Sequence, residues 1–271
     1  MLRAPLIVAA QLVAFWPVWR WYSARVGASA DEAWGLLAFA CAAYFLWKGK
    51  AAGAAKAGLL LFPALLVLGY AASYPFLPPL PRAAVAVTAL GCTAALLRLG
   101  RSFHPGTLGL LYLSLPVIPS LQFYGGYPLR TLVAGAAAPL LRLGGFAVMQ
   151  EGTCLNWAGR LIWVDAPCSG IRMLWVGLLL ACALACLYEL RPLKTLLALA
   201  AASAAIFAGN VLRAVALFYV EAGIVAAPPW AHDYVGLVAF AAVAAFILAA
   251  VRQIARVSRC DIKSPTPEPA Y

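Results

Sequence analysis

The sequence predicts an all-α polytopic transmembrane helix bundle of about eight spans, with a short extracytoplasmic segment holding a small hairpin ahead of Cys168. Three observations carry this. Of 271 residues, 65% are hydrophobic and 11% charged, with mean hydropathy +0.90, which is too apolar for a water-soluble domain of this length. Apolar stretches of roughly 15 to 20 residues recur from end to end, and in lipid such segments must satisfy their own backbone hydrogen bonds, as helices do. Basic residues, finally, gather in alternate breaks between those stretches.

The expected spans are 6–19, 33–47, 57–73, 83–97, 107–123, 171–188, 195–219 and 234–251. The first follows Arg3. Ala28-Ser29-Ala30 beyond it invites a cleavable signal-peptide reading, but Arg20 and Arg25 separate the apolar run from that triplet and favour a retained helix. Lys48, Lys50 and Lys56 lie between spans two and three, Arg98 and Arg101 between four and five, and Arg191 and Lys194 between six and seven. Arg252, Arg256, Arg259 and Lys263 follow the eighth. With Arg3, these positions make twelve basic residues with three acidic ones on the same side, against eight and six on the other, so +9 faces +2. The positive-inside rule then puts both termini in the cytoplasm. The net charge of +11, which in a soluble protein would suggest nucleic acid, is distributed as a topology signal, and no nucleic-acid partner is expected.

Residues 124–168 are too long and too mixed for a tight turn. Pro128 to Phe146 is apolar but carries Arg130, Pro139 and Arg142, and is expected to lie along the outer interface or dip into the membrane. A full crossing there would turn Lys48 to Lys56 outward, so eight crossings are preferred to nine. The following "FAVMQEGTCLNWAGRLIWVDAP" mixes Gly with Val, Ile and Trp, as a strand-turn-strand would. The Pro-rich end "IKSPTPEPAY" reads as disordered. The chain divides into one integral membrane domain, 1–263, and a disordered cytoplasmic tail, 264–271.

Apolar helices make polar residues conspicuous, because an ionisable group in the membrane is costly and is usually kept near a water-accessible interior. Three places stand out: Cys168-Ser169-Gly170-Ile171-Arg172; "GNVLRA" with Asn210 and Arg213; and "WAHDYVG" with His232 and Gly236. Counted back from the cytoplasmic Lys194 and Arg252 at about 1.5 Å per residue, Arg213 and His232 reach roughly 28 and 30 Å. Cys168, counted from Arg191, reaches roughly 34 Å. All three fall near the outer edge of a hydrocarbon slab about 30 Å thick, within about one helical turn of each other.

Their chemistry is complementary. A thiol at a helix start feels the positive end of the dipole, and Arg172 nearby also favours the nucleophilic thiolate. Histidine moves protons near neutral pH, and arginine can hold a developing oxyanion. Cys, His and Arg are the parts of a thiol acyl-transfer site. Taken singly, each has a plainer reading: a packing cysteine, an arginine snorkelling to the interface, a loop histidine.

As a set, "EG" at Glu151, "CSGIR", "NVLR" and His232 with Gly236 four residues on resemble the exosortase and archaeosortase family, membrane-embedded cysteine transpeptidases. The resemblance covers about 151–251, and the N-terminal half is similar only in being multi-spanning. It implies Cys168 as nucleophile, with Arg213 and His232 completing a site near the outer face and Ser169, Arg172 and Asn210 in supporting roles. It also implies membrane-anchored protein substrates bearing C-terminal sorting signals, an acceptor nucleophile, a location in the cell inner membrane, and no cofactor or metal. One departure is Asp165-Ala166-Pro167-Cys168, where many relatives have an acidic residue and alanine directly before the cysteine; the added proline bears on subfamily and substrate motif. The tail's Pro267-Glu268-Pro269 is no sorting signal, since no helix follows it.

Competing readings are a non-enzymatic transporter or assembly subunit for surface-polymer export, and a structural Cys154–Cys168 disulfide. A metal on Cys182 and Cys186 lacks further ligands, and small-residue helix packing is preferred. Asn210 is expected to orient Arg213 or to bond a neighbouring helix, Gly236 to permit close helix approach, and most of the nine tryptophans to anchor span ends. Asp233 points about 100° from His232 on a helix, so no Cys-His-Asp triad is invoked.

Overall fold

A computed structural model describes residues 3–27, 34–49, 61–164, 170–228 and 230–263, with side chains from residue 6 to residue 257. Among them the chain forms α1 (Arg3–Ala14), α2 (Trp16–Val26), α3 (Gly35–Lys48), α4 (Leu61–Ser73), α5 (Pro79–Leu99), α6 (Pro105–Ser114) and α7 (Ile118–Leu143). Three strands follow, β1 (Val148–Glu151), β2 (Cys154–Trp157) and β3 (Arg160–Trp163), then α8 (Ile171–Leu187), α9 (Pro192–Glu221) and α10 (Ala231–Lys263). The protein is a helical membrane protein. The Ala28-Ser29-Ala30 triplet, Asp165 to Ser169 and the tail from 264 lie outside the described residues.

The expected spans correspond to helices of unequal reach. Alone, α5, α9 and α10 are long and apolar enough to cross a bilayer; α6 and α7 count as a fourth span only if taken as one element bent by 95°. The helices α3, α4 and α8 are apolar but shorter. Two expected spans are interrupted, and proline is the cause in both. Pro17 supplies no N–H at the start of α2, so 6–19 divides at Phe15. Pro116 forces Leu115 into an extended conformation (φ −71°, ψ 155°), which ends α6 inside the expected 107–123 span. The chain then turns into α7, whose 26 residues absorb most of the stretch expected to skirt the interface, Pro128 and Pro139 included.

After α7 the chain makes three strands, one more than strand-turn-strand. They form an antiparallel meander in the order β1-β2-β3, with Glu151 opposite Cys154 and Trp157 opposite Arg160. Both connections are two-residue turns, and the second, Ala158-Gly159, has positive φ at both positions, as the twist of a tight hairpin demands. Val148, Leu155 and Ile162 bury against Val133, Ala137 and Leu141 of α7 and Leu217 and Phe218 of α9. Cys154 is buried in β2 as a free thiol; Cys168, the partner weighed for it, lies outside the described residues.

Two further cores build the bundle. One joins Phe15 and α2 to α3, α4, α5, α6 and α8, and the other joins α8, α9 and α10. Trp175 departs from the interfacial pattern expected of tryptophan. It is 2% exposed, and its indole N–H donates to the Leu113 carbonyl at 3.1 Å, meeting an orphan acceptor in the last turn of α6. Cys182 and Cys186 face Gly109 and Gly106 of α6, the small-residue packing preferred above.

A buried polar contact holds α1 to α5. Gln11 Nε2 donates to Thr93 Oγ1 at 2.9 Å, and the threonine hydroxyl donates on to the Ala89 carbonyl. Thr93→Val keeps the shape but leaves the Gln11 amide without its acceptor, at a cost of about 1–3 kcal/mol. A thermal melt of the full chain in detergent is expected to shift down accordingly, while Gln11→Leu/Thr93→Val, removing both partners, recovers most of the loss.

Candidate active site

Three helices converge on one cavity of ≈ 440 Å³, and each brings a polar group from the sequence motifs. The start of α8 contributes Gly170 and Arg172, α9 contributes Arg213, and the start of α10 contributes His232, Asp233 and Gly236. Met173, Val176 and Phe240, one to two turns deeper on α8 and α10, form its apolar wall.

Gly170 sets where α8 begins. It caps the helix at φ +78°, a left-handed conformation that costs a side-chain-bearing residue about 1–2 kcal/mol. A Cβ there would also lie 2.8 Å from Nδ2 of Asn210. The buried Asn210 therefore packs against the backbone at the mouth of α8, so α9 braces the start of that helix. Gly170→Ala combines the conformational penalty with displacement of Asn210. We expect a lower melting temperature; a variant that melts like the wild type would show that this cap does not constrain the helix start.

Arg213 lies one turn beyond Asn210, and its guanidinium crosses the backbone of Gly236. A Cβ at residue 236 would stand 3.3 Å from Cζ, Nε and Nη2 of Arg213. Close helix approach was the expected role of this glycine; what it opens is a slot for the guanidinium. His232 is one-third exposed at the cavity edge. Its Nδ1 lies 3.8 Å from Oδ1 of Asp233, whose side chain is 95% exposed, so this contact is too long and too wet to orient the ring. Arg172 is exposed and lines the same cavity.

His232 also borders a second cavity of ≈ 300 Å³, set between the sheet and the end of α9 and lined by Val164, Arg160 and Glu221 among others. The two residues flanking the undescribed 165–169 thus border the two cavities, Val164 the second and Gly170 the first. Cys168 and Ser169 lie within that undescribed segment. Sequence reasoning did not single out Trp34, Ile118, Phe240, Arg160 or Glu221 as lining residues. Trp34 and Ile118 come from the N-terminal half, and as ordinary apolar residues at helix starts they carry no distinguishing signal.

Fold and cavity together define a helical membrane protein with an arginine and a histidine gathered at the mouths of its last three helices. The chain belongs to the transmembrane exosortase family, whose model matches residues 5–249. That match takes in the N-terminal half, well beyond the stretch that carried the sequence resemblance. None of the curated proteins and none of the solved structures matches the chain.

Proposed function

We propose that this protein is a membrane-embedded cysteine transpeptidase that cleaves C-terminal sorting signals, each a short motif followed by a transmembrane helix and a basic cluster. The observation that carries the proposal is that Arg213, His232 and Gly170 line one cavity. Two peptide units tether the Cys168 Cα within about 7.6 Å of the Gly170 Cα, so a thiol two residues upstream has that cavity in reach. Family membership and the composition of this site point the same way.

In this mechanism the Cys168 thiolate adds to the scissile carbonyl carbon, and the Arg213 guanidinium holds the oxyanion that forms. His232 gives a proton to the leaving amine nitrogen as the C–N bond breaks, leaving a thioester on Cys168 and freeing the helix with its basic cluster. An acceptor N–H or O–H then gives its proton to His232 and attacks the thioester carbon. The C–S bond breaks and the thiolate returns. Ser169 and Arg172 support the thiolate end of the site, and Asn210 supports the turn.

The topology proposed with this is eight crossings in the cell inner membrane, both termini cytoplasmic and the site at the extracytoplasmic face. The excess of basic residues in the even-numbered breaks and at the termini supports that orientation. The substrate's own helix can then dock laterally in lipid while the scissile bond stands at the water edge.

The test is cellular. Proteins encoded beside this chain with a motif-helix-basic C-terminus are tagged and followed with and without it. Loss of the C-terminal helix only when the chain is present is the expected result, and unchanged length in every candidate would overturn the proposal.

A further inference from the structure

At the far end of α8 from Gly170, some 26 Å away by helix rise, a cavity of ≈ 550 Å³ opens between the ends of α3, α5 and α8 and the start of α6. Lys48 and Arg101, both exposed, stand at its rim; His104 and Thr107, both buried, form its floor; Phe45 and Leu99 wall it. Among the described residues, Glu189 is the acid that lines it.

The floor is a hydrogen-bond donor. His104 is 8% exposed, and the Thr107 backbone N–H donates to its Nδ1 at 3.2 Å. An amide N–H can only donate, so Nδ1 is the lone-pair nitrogen and a neutral ring carries its proton on Nε2. Burial, and after it the Arg101 charge, push the His104 pKa down, against smaller opposing pulls from Glu189 and the histidine's own backbone. The ring therefore offers Nε2–H in a chamber whose other ionised groups, among the described residues, are two cations and one carboxylate. Neighbouring Arg98 is already engaged, donating to the Leu46 and Trp47 carbonyls at 3.1 and 2.7 Å, which braces α5 against the end of α3.

We propose that this cavity binds the phosphate diester of an anionic phospholipid headgroup, with Lys48 and Arg101 as charge partners and His104 as the buried donor. A phosphate diester is all acceptor and carries one negative charge, which matches a donor floor under a cationic rim. The apolar walls favour a lipid over a free ion. Phe45 and Leu99 leave room for the glycerol and upper acyl segment, and Trp47 and Leu187 beside the opening are 75% and 53% exposed. The site is independent of the transpeptidase proposal, because it shares no residue with the Arg213 cavity.

Native mass spectrometry of the full chain, offered equimolar phosphatidylglycerol and phosphatidylcholine, reads this directly. Phosphatidylglycerol is expected to be retained at least tenfold over phosphatidylcholine, whose diester is neutralised by a quaternary ammonium that the Lys48 and Arg101 rim repels. Lys48→Gln and Arg101→Gln should each lower its retention about fivefold. Arg82→Gln, away from the cavity, should leave it unchanged, and Glu189→Gln should raise it. Equal retention of the two lipids, or no difference between Arg101→Gln and Arg82→Gln, overturns the proposal. Should either cation variant fail to fold, Glu189→Gln decides, and no gain in retention overturns it as well. A melting shift reproduced by millimolar inorganic phosphate in place of the lipid overturns the lipid assignment.

Discussion

Cys168→Ala is expected to stop release of the sorting-signal helix completely, with the chain still present in the membrane at normal level. The expectation rests on covalent chemistry. Without sulfur there is no thioester, and neither Arg213 nor His232 can substitute as the atom that bonds the acyl carbon. Cys168→Ser should also fall to background. A thiol loses its proton far more readily than a serine hydroxyl, which in the same place remains protonated and a poor nucleophile. The measurement is the mass of the substrate's C-terminus in cells, together with hydroxylamine release of acyl groups from the wild-type chain. Full processing by Cys168→Ala would leave the mechanism without its nucleophile.

Arg213→Gln is expected to lower the acylation rate by about 10²–10³-fold, the usual loss when one oxyanion donor is removed. Arg213→Lys should recover little of this. The guanidinium is a planar fork laid across the Gly236 backbone, where an added Cβ would be 3.3 Å from three of its atoms, and an ammonium on a flexible stem does not reproduce that placement. Gly236→Val supplies an independent arm, since it leaves Arg213 in the chain but pushes the guanidinium from its slot. It should lower the rate without loss of membrane level, and Gly236→Ala, which asks for a shift of only a few tenths of an ångström, should fall between Gly236→Val and the wild type. A wild-type rate in Arg213→Gln would remove the arginine from the reaction.

Why the site was partly readable is a matter of helix geometry. In a membrane bundle, depth follows from counting residues to a charged break, and the count placed Arg213 and His232 in one layer; the structure has them lining one cavity. Depth, however, says nothing about azimuth. That Gly236 faces the Arg213 guanidinium, and that Gly170 lies against Asn210, depend on how α8, α9 and α10 are rotated about their axes. The rotation is set by side chains such as Ile206, Val243 and Ile247 meeting in the core between them. The breaks at Phe15 and Leu115 were legible in principle, because Pro17 and Pro116 stand inside runs read as continuous on hydropathy alone.

Composition and the spacing of apolar runs are enough to say that this chain is a helical membrane protein, since lipid leaves a backbone few ways to satisfy its hydrogen bonds. The motif set from Glu151 to Gly236 was likewise enough to point to the exosortase family, which the match over 5–249 establishes. Tertiary structure alone decided which groups meet. It brought Trp34 and Ile118 from the N-terminal half to the Arg213 cavity, and it gathered Lys48 from one segment and Arg101 and His104 from another around a second cavity. Contacts between residues far apart in the chain arise from packing of whole helices, and hydropathy, which sees each helix alone, carries no record of them.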